Sequence, residues 1–208
     1  MPHRESSWKF AEELVTESDA ITLARQHSVE AGVDTVSPGV GAQLAVATSL
    51  LKARSIIEIG TGLGVSGLWL LHGAPDATLT SIDTEVDHQQ SAREAFALAG
   101  VPAARVRMIT GRASEVLPRM NEAAYDVVLV DADPEGVIEY VEHALRLART
   151  GGIVLVAHAL ADGRVANPAA RDRVVSDLRT LLTEVSSSPA VISSLATAGD
   201  GLLQLVKR

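Results

Sequence analysis

The sequence predicts an α/β protein: a doubly wound, mostly parallel sheet that ends in an antiparallel hairpin and is preceded by N-terminal helices. Three observations predict it. From Ser55 onward, short apolar runs rich in β-branched residues alternate with segments of helical length. A glycine loop, "EIGTGLGVSG", follows the first run and opens a helix. The end of the chain breaks the rhythm: "AVISSLAT", a turn at Gly199-Asp200-Gly201 and "LLQLVKR" read as two strands in tight succession. Near-continuous apolar strands separated by helices need cover on both faces, and a parallel sheet provides it.

Each element follows in order. Amphipathic helices are expected over Trp8–Thr16 and Asp19–Ala31. A third lies in "VSPGVGAQLAVATSLLKA", with Ser37 as N-cap and Pro38 at the first helical position. The strands are "SIIEIG", "TLTSID", "RVRMIT", "DVVLVD" and "GIVLVA". Between them stand helices in "VSGLWLLHG", "DHQQSAREAFALAG", "ASEVLPRMN" and "EGVIEYVEHALRLARTGG". In the last of these, Val137, Tyr140, Val141, Ala144 and Leu145 share one face. A further helix carries Val174, Val175, Leu178, Leu181 and Leu182, with its cap expected at Asn167-Pro168. The 208 residues read as one domain, 1–35 a helical extension and 36–208 the core.

Composition narrows the function. A net charge of −8 argues against a nucleic-acid surface, which needs a basic patch. With no cysteine, disulfides and thiolate chemistry are excluded. A charged N-terminus without an apolar segment, and no stretch suited to a membrane span, complete the expectation of a cytoplasmic protein.

Gly60, Gly62 and Gly64 permit a tight turn and close backbone approach to a ligand. A dinucleotide fingerprint starting at Gly60 needs glycine at 65, where Val65 stands. The pattern is instead Glu-x-Gly-x-Gly-x-Gly with Glu58 inside the strand, the motif of class I S-adenosylmethionine (SAM) methyltransferases. A carboxylate there suits the ammonium of SAM, directly or through water, and would repel a pyrophosphate. Asp83 ends the next strand, where a carboxylate accepts hydrogen bonds from ribose hydroxyls. NAD enzymes share that feature, so an NAD(P)-dependent oxidoreductase is the competing reading. Val65, Glu58 and the terminal hairpin weigh against it.

From Val36 onward the chain resembles the O-methyltransferase family that includes catechol and caffeoyl-CoA O-methyltransferases, in its shorter bacterial branch. The stretches that carry the resemblance are "VSPGVGAQL", "EIGTGLGVSGLWL", "SIDTEVDHQQSAREAFALAG", "GRASEVLP", "YDVVLVDADP", "GGIVLVAHALADGRV" and "GDGLLQLVK". The resemblance implies a Rossmann-like methyltransferase sheet, SAM as cofactor, a small hydroxylated aromatic acceptor and a homodimer. It places Val36 beside the methionine portion, Glu58, Gly60, Thr61 and Ser66 at the amino-acid end, Asp83 on the ribose, and Ala113 and Ser114 against the adenine.

In the family, the first Asp of a D-x-D-K-like segment binds a divalent cation beside the transferred methyl. Asp131 is that Asp, and Asp133 is expected to help fix SAM. The match then departs from the pattern: Pro134 stands at the Lys position, and Ala157 and His158 where an Asp-Asn pair completes the cation's ligands. A hard cation prefers several oxygen ligands, so a metal site is not expected. His158 ends an apolar strand and can accept a phenolic proton, with Asp131 as its partner. Asp131 and His158 are therefore the expected catalytic pair. The same departures leave open a SAM-binding protein of this fold that has lost catalysis and serves a regulatory or structural role.

Overall fold

The computed structural model describes the backbone from Pro2 and side chains from Glu5 to Arg208. Helices α1 (Pro2–Glu13), α2 (Asp19–Ala31) and α3 (Pro38–Leu50) precede the sheet. Two of them start where their capping residues dictate. Ser18 Oγ accepts from Ile21 N–H and Ser37 Oγ from Val40 N–H, both from extended backbone. Helix α1 stops at Glu13, short of the expected Thr16.

The sheet contains β1 (Ser55–Ile59), β2 (Thr78–Asp83), β3 (Val106–Thr110), β4 (Tyr125–Val130), β5 (Ala148–Val156), β6 (Val191–Ala196) and β7 (Leu202–Lys207). Their order is β3-β2-β1-β4-β5-β7-β6. The first five are parallel, and β7 is inserted antiparallel between β5 and β6. The expected sheet and terminal hairpin are thus both present, with the added feature that the last strand enters the interior of the sheet.

The remaining helices are α4 (Val65–Gly73), α5 (Val86–Leu98), α6 (Ala113–Val116), α7 (Val137–Leu147) and α8 (Arg173–Ser187). Strand alternation sends side chains into two cores. Ile56, Val127 and Leu129 face the core built with α2–α5, while Ile57, Ile59, Val128 and Val130 face the one built with α6–α8. Burial on both sides explains why these strands read as continuous apolar runs.

Three further boundaries differ from expectation. The segment "ASEVLPRMN" is helical only to Val116 and continues as a tighter turn over Leu117–Arg119, because Pro118 cannot donate to a longer α-helix. Helix α7 stops at Leu147 since Ala148 already pairs with Tyr125. The last helix is capped by Asp172, whose carboxylate accepts from Val175 N–H, and not by Asn167. A 3-10 turn over Arg164–Ala166 and the chain after it are held short of an α-helix by Arg179, whose guanidinium donates to the carbonyls of Val165, Asn167 and Ala170.

Candidate active site

The site lies at the carboxyl ends of β1, β2, β4 and β5, where a doubly wound sheet binds its ligands. The glycine loop leaves β1 at Gly60, with φ +95°. A Cβ there would fall 1.8 Å from the Asp131 carbonyl oxygen, so only glycine lets the loop cross β4 this closely. Asp83 fastens the loop: its Oδ2 accepts from Thr61 N–H (2.9 Å) and Gly62 N–H (3.0 Å). Its Oδ1 accepts from Glu85 N–H.

These turns enclose a cavity of about 350 Å³, within the size range of small-ligand sites. Val36, Gly60, Thr61, Ser66, Asp83, Ala113, Asp131 and Asp133 all line it. Two expected residues stand elsewhere. Ser114 is exposed on α6 and outside the lining. Glu58 is fully buried beneath the loop, its oxygens taken by Ser66 Oγ (3.0 Å) and Ser81 Oγ (2.7 Å). Burial pushes the Glu58 carboxyl up to about 8, against the opposing effect of the two serine hydroxyls and with a further rise from Asp131 and Asp83. Tyr140 of α7 and His88 of α5 also line the cavity; Tyr140 was visible in the sequence only as part of a packing face.

A second cavity, of about 710 Å³, shares Asp34, Thr35, Asp131, Ala132 and Asp133 with the first. His158 lies on it. The hydrogen bond from Ala157 N–H to the Val130 carbonyl carries β5 on past Val156 and sets His158 beside Asp131. Its Nε2 is 3.5 Å from Asp131 Oδ1, and its Nδ1 is 3.8 Å from Asp200 Oδ2. Asp200 is a residue the sequence reading passed over as part of a turn. Its carbonyl accepts from Leu160 N–H, and its Oδ1 accepts from Asp162 N–H at 2.7 Å. These bonds hold a segment in which His158, Ala161 and Asp162 all have positive φ, a conformation costing about 1–3 kcal/mol per non-glycine residue. Burial pushes Asp131 up to about 6, with His158 opposing the rise and Asp34 adding to it.

The residues do not fit a divalent cation. Ala157 brings no donor, and the imidazole stands between two carboxylates that it keeps apart. Among the described residues no group of three or more His, Cys, Asp or Glu side chains could hold a metal ion. No helix among them is long and apolar enough to cross a membrane.

A mostly parallel sheet with a glycine loop, a strand-end carboxylate and two adjoining cavities defines a doubly wound α/β protein with a ligand site at its strand ends. The comparisons make that specific: the chain belongs to the O-methyltransferase family, whose model matches residues 7–208. It is 41% identical over 204 residues to a probable O-methyltransferase of Mycobacterium tuberculosis, covering 98% of this chain and 91% of that protein. In three dimensions it is similar to a Corynebacterium glutamicum protein, with a TM-score of 0.90, 28% identity and 99% and 97% of the two chains covered. It is also similar to the O-methyltransferase TomG of Streptomyces achromogenes, involved in tomaymycin synthesis and solved in complex with SAM. That likeness has a TM-score of 0.82 and 34% identity, and covers 96% and 95% of the chains.

Proposed function

We propose that this protein is a SAM-dependent O-methyltransferase that methylates a hydroxyl of a small aromatic acceptor without a divalent metal. The observation that carries the reading is the shared wall: the cavity under the glycine loop and the one before His158 meet at Asp131. The first fits the cofactor through the buried hydroxyls of Thr61 and Ser66, the Asp83 carboxylate and the apolar surface of Val36 and Ala113. SAM supplies an electrophilic methyl on a sulfonium sulfur and leaves as the neutral thioether.

The chain's own residues do the rest. The acceptor hydroxyl enters from the second cavity and loses its proton to His158 Nε2. A carboxylate faces each ring nitrogen, Asp131 at Nε2 and Asp200 at Nδ1, and the base role uses the tautomer whose hydrogen points from Nδ1 to Asp200. Once protonated, the imidazolium lies between Asp131 and Asp200, which stabilise its charge. Asp34, Asp133 and Asp162 add further carboxylates to this cavity, and Arg164 is engaged at 3.0 Å by Asp172. The field so produced disfavours an anionic acceptor. Homodimer formation belongs to the same proposal; exposed Val46 and Leu50 on α3 and Ile192 on β6 support it.

The test is transfer of label from methyl-labelled SAM to neutral, aminated and carboxylated phenols and catechols, with Mg²⁺ or with EDTA. Transfer is expected to persist in EDTA and to be weakest for the carboxylated members. His158→Ala should lower turnover about a hundredfold or more while leaving S-adenosylhomocysteine binding unchanged. Loss of transfer in EDTA would sink the metal-free mechanism. Binding of S-adenosylhomocysteine with no transfer to any acceptor would favour a SAM-binding protein without catalysis.

A further inference from the structure

Glu58 does not touch the cofactor cavity, yet two hydrogen-bonded arms run from it to that cavity's wall. One arm is direct: Ser66 Oγ donates to Glu58 Oε2, and Ser66 lines the cavity. The other has two steps: Ser81 Oγ donates to Glu58 Oε1 at 2.7 Å, and Ser81 Oγ and Thr61 Oγ1 share a hydrogen bond of 2.6 Å in which either can donate; Thr61 lines the cavity. All four residues are buried, at 5% exposure or less. Gly67 of α4 and Phe96 of α5 close over the carboxyl: a Cβ on Gly67 would lie 3.0 Å from Glu58 Oε1 and 2.7 Å from the Phe96 ring. The charged groups that bear on it are Asp83, ending β2, and Asp131, beyond β4, both negative.

The direction of each hydrogen bond depends on whether Glu58 holds a proton. An ionised carboxylate only accepts, so Ser66 and Ser81 must each give it their single hydrogen. Ser81 then accepts from Thr61, and the hydrogens of both arms point inward. The cavity meets only oxygen lone pairs on Ser66 and Thr61. A protonated Glu58 donates to one serine, reverses that arm and turns a hydroxyl hydrogen toward the cavity. An ammonium has three donors and no acceptor, so it is complementary to the first state and in conflict with the second.

We propose that Glu58 is a positioning residue for the cationic amino-acid end of the cofactor, acting through Ser66 and through Ser81–Thr61, and that it releases a proton when the cofactor binds. The inference rests on the SAM reading of the cavity. In the empty cavity burial favours the neutral carboxyl, and the negative charges of Asp131 and Asp83 act in the same direction. An arriving ammonium favours the ionised form, both by its charge and by the hydrogen bonds it requires.

The probe is S-adenosylhomocysteine, which carries the same amino-acid end. Titration calorimetry at pH 7 in buffers of different ionisation enthalpy should show release approaching one proton per molecule bound. Affinity should be roughly tenfold tighter at pH 8.5 than at pH 6.5. Glu58→Gln, which cannot ionise, should bind with little proton release and a flat pH profile. Ser81→Ala leaves the cavity lining intact but cuts the arm to Thr61 and one bond that favours ionisation; its release should move to higher pH. Tight binding without proton exchange, or equal release from Glu58→Gln, would overturn the inference and leave the cofactor reading standing. No binding of S-adenosylhomocysteine would overturn that reading and the inference with it.

Discussion

Glu58 shows how one side chain ties stability to the site. Its carboxyl stands at about 8 in the folded protein against an ordinary 4.5. The stability that comes with its neutral form is therefore complete below about 4.5 and is lost as pH rises through 8. We expect cofactor-free Glu58→Gln to match the native protein near pH 4 and to become progressively more stable than it toward pH 8, as measured by urea unfolding. Parallel profiles across that range would contradict the assignment. The presence of a carboxylate inside an apolar strand was legible in "SIIEIG", because a charged residue among isoleucines stands out. Its separation from the cavity was not, since that depends on Ser66 and Ser81 arriving from two other elements. Asp200 escaped for the same reason. Nothing near Gly199 announces that the chain beyond it will enter the sheet beside β5 and bring that carboxylate to His158.

Among the elements, α1 is fastened to the rest of the protein through Glu12. The Glu12 carboxylate accepts from Ser37 Oγ (2.9 Å), Gly39 N–H (2.6 Å) and Gly199 N–H (3.0 Å). It sits at the N-terminus of α3, where a negative charge is favoured. It also secures the turn that precedes Asp200. Glu12→Ala should cost about 1–3 kcal/mol by leaving these donors unpaired. Hydrogen exchange should then quicken in α1 and around Gly199 while α4 stays protected; uniform quickening would mean that α1 is not a separately held element. Helices with strong local signals were readable: Ser37 sets the start of α3 as expected, and α2 begins at the expected Asp19, capped by Ser18. The start of α8 was misread because Asn167-Pro168 and Asp172 are both good caps. The choice between them is made by Arg179, about two turns into the helix beyond the true cap, and no local pattern reveals which carbonyls it will grasp.

For the molecule as a whole, the parallel order and the terminal hairpin could be read from alternation alone. The insertion of β7 between β5 and β6 could not, because hydrophobic pattern records which faces are buried and not which strand lies next to which. The two confluent cavities carry a kinetic consequence. Asp131 and its neighbours line both chambers, so a molecule seated in the first would become part of the boundary of the second. Acceptor arriving early would find its chamber unfinished, and we expect an ordered sequence, cofactor before acceptor. Initial rates should then show S-adenosylhomocysteine competing with SAM but inhibiting noncompetitively against the acceptor. Dead-end acceptor analogues should bind the protein only after S-adenosylhomocysteine is in place, and an analogue that binds equally well to the empty protein would show that each chamber is complete without its neighbour.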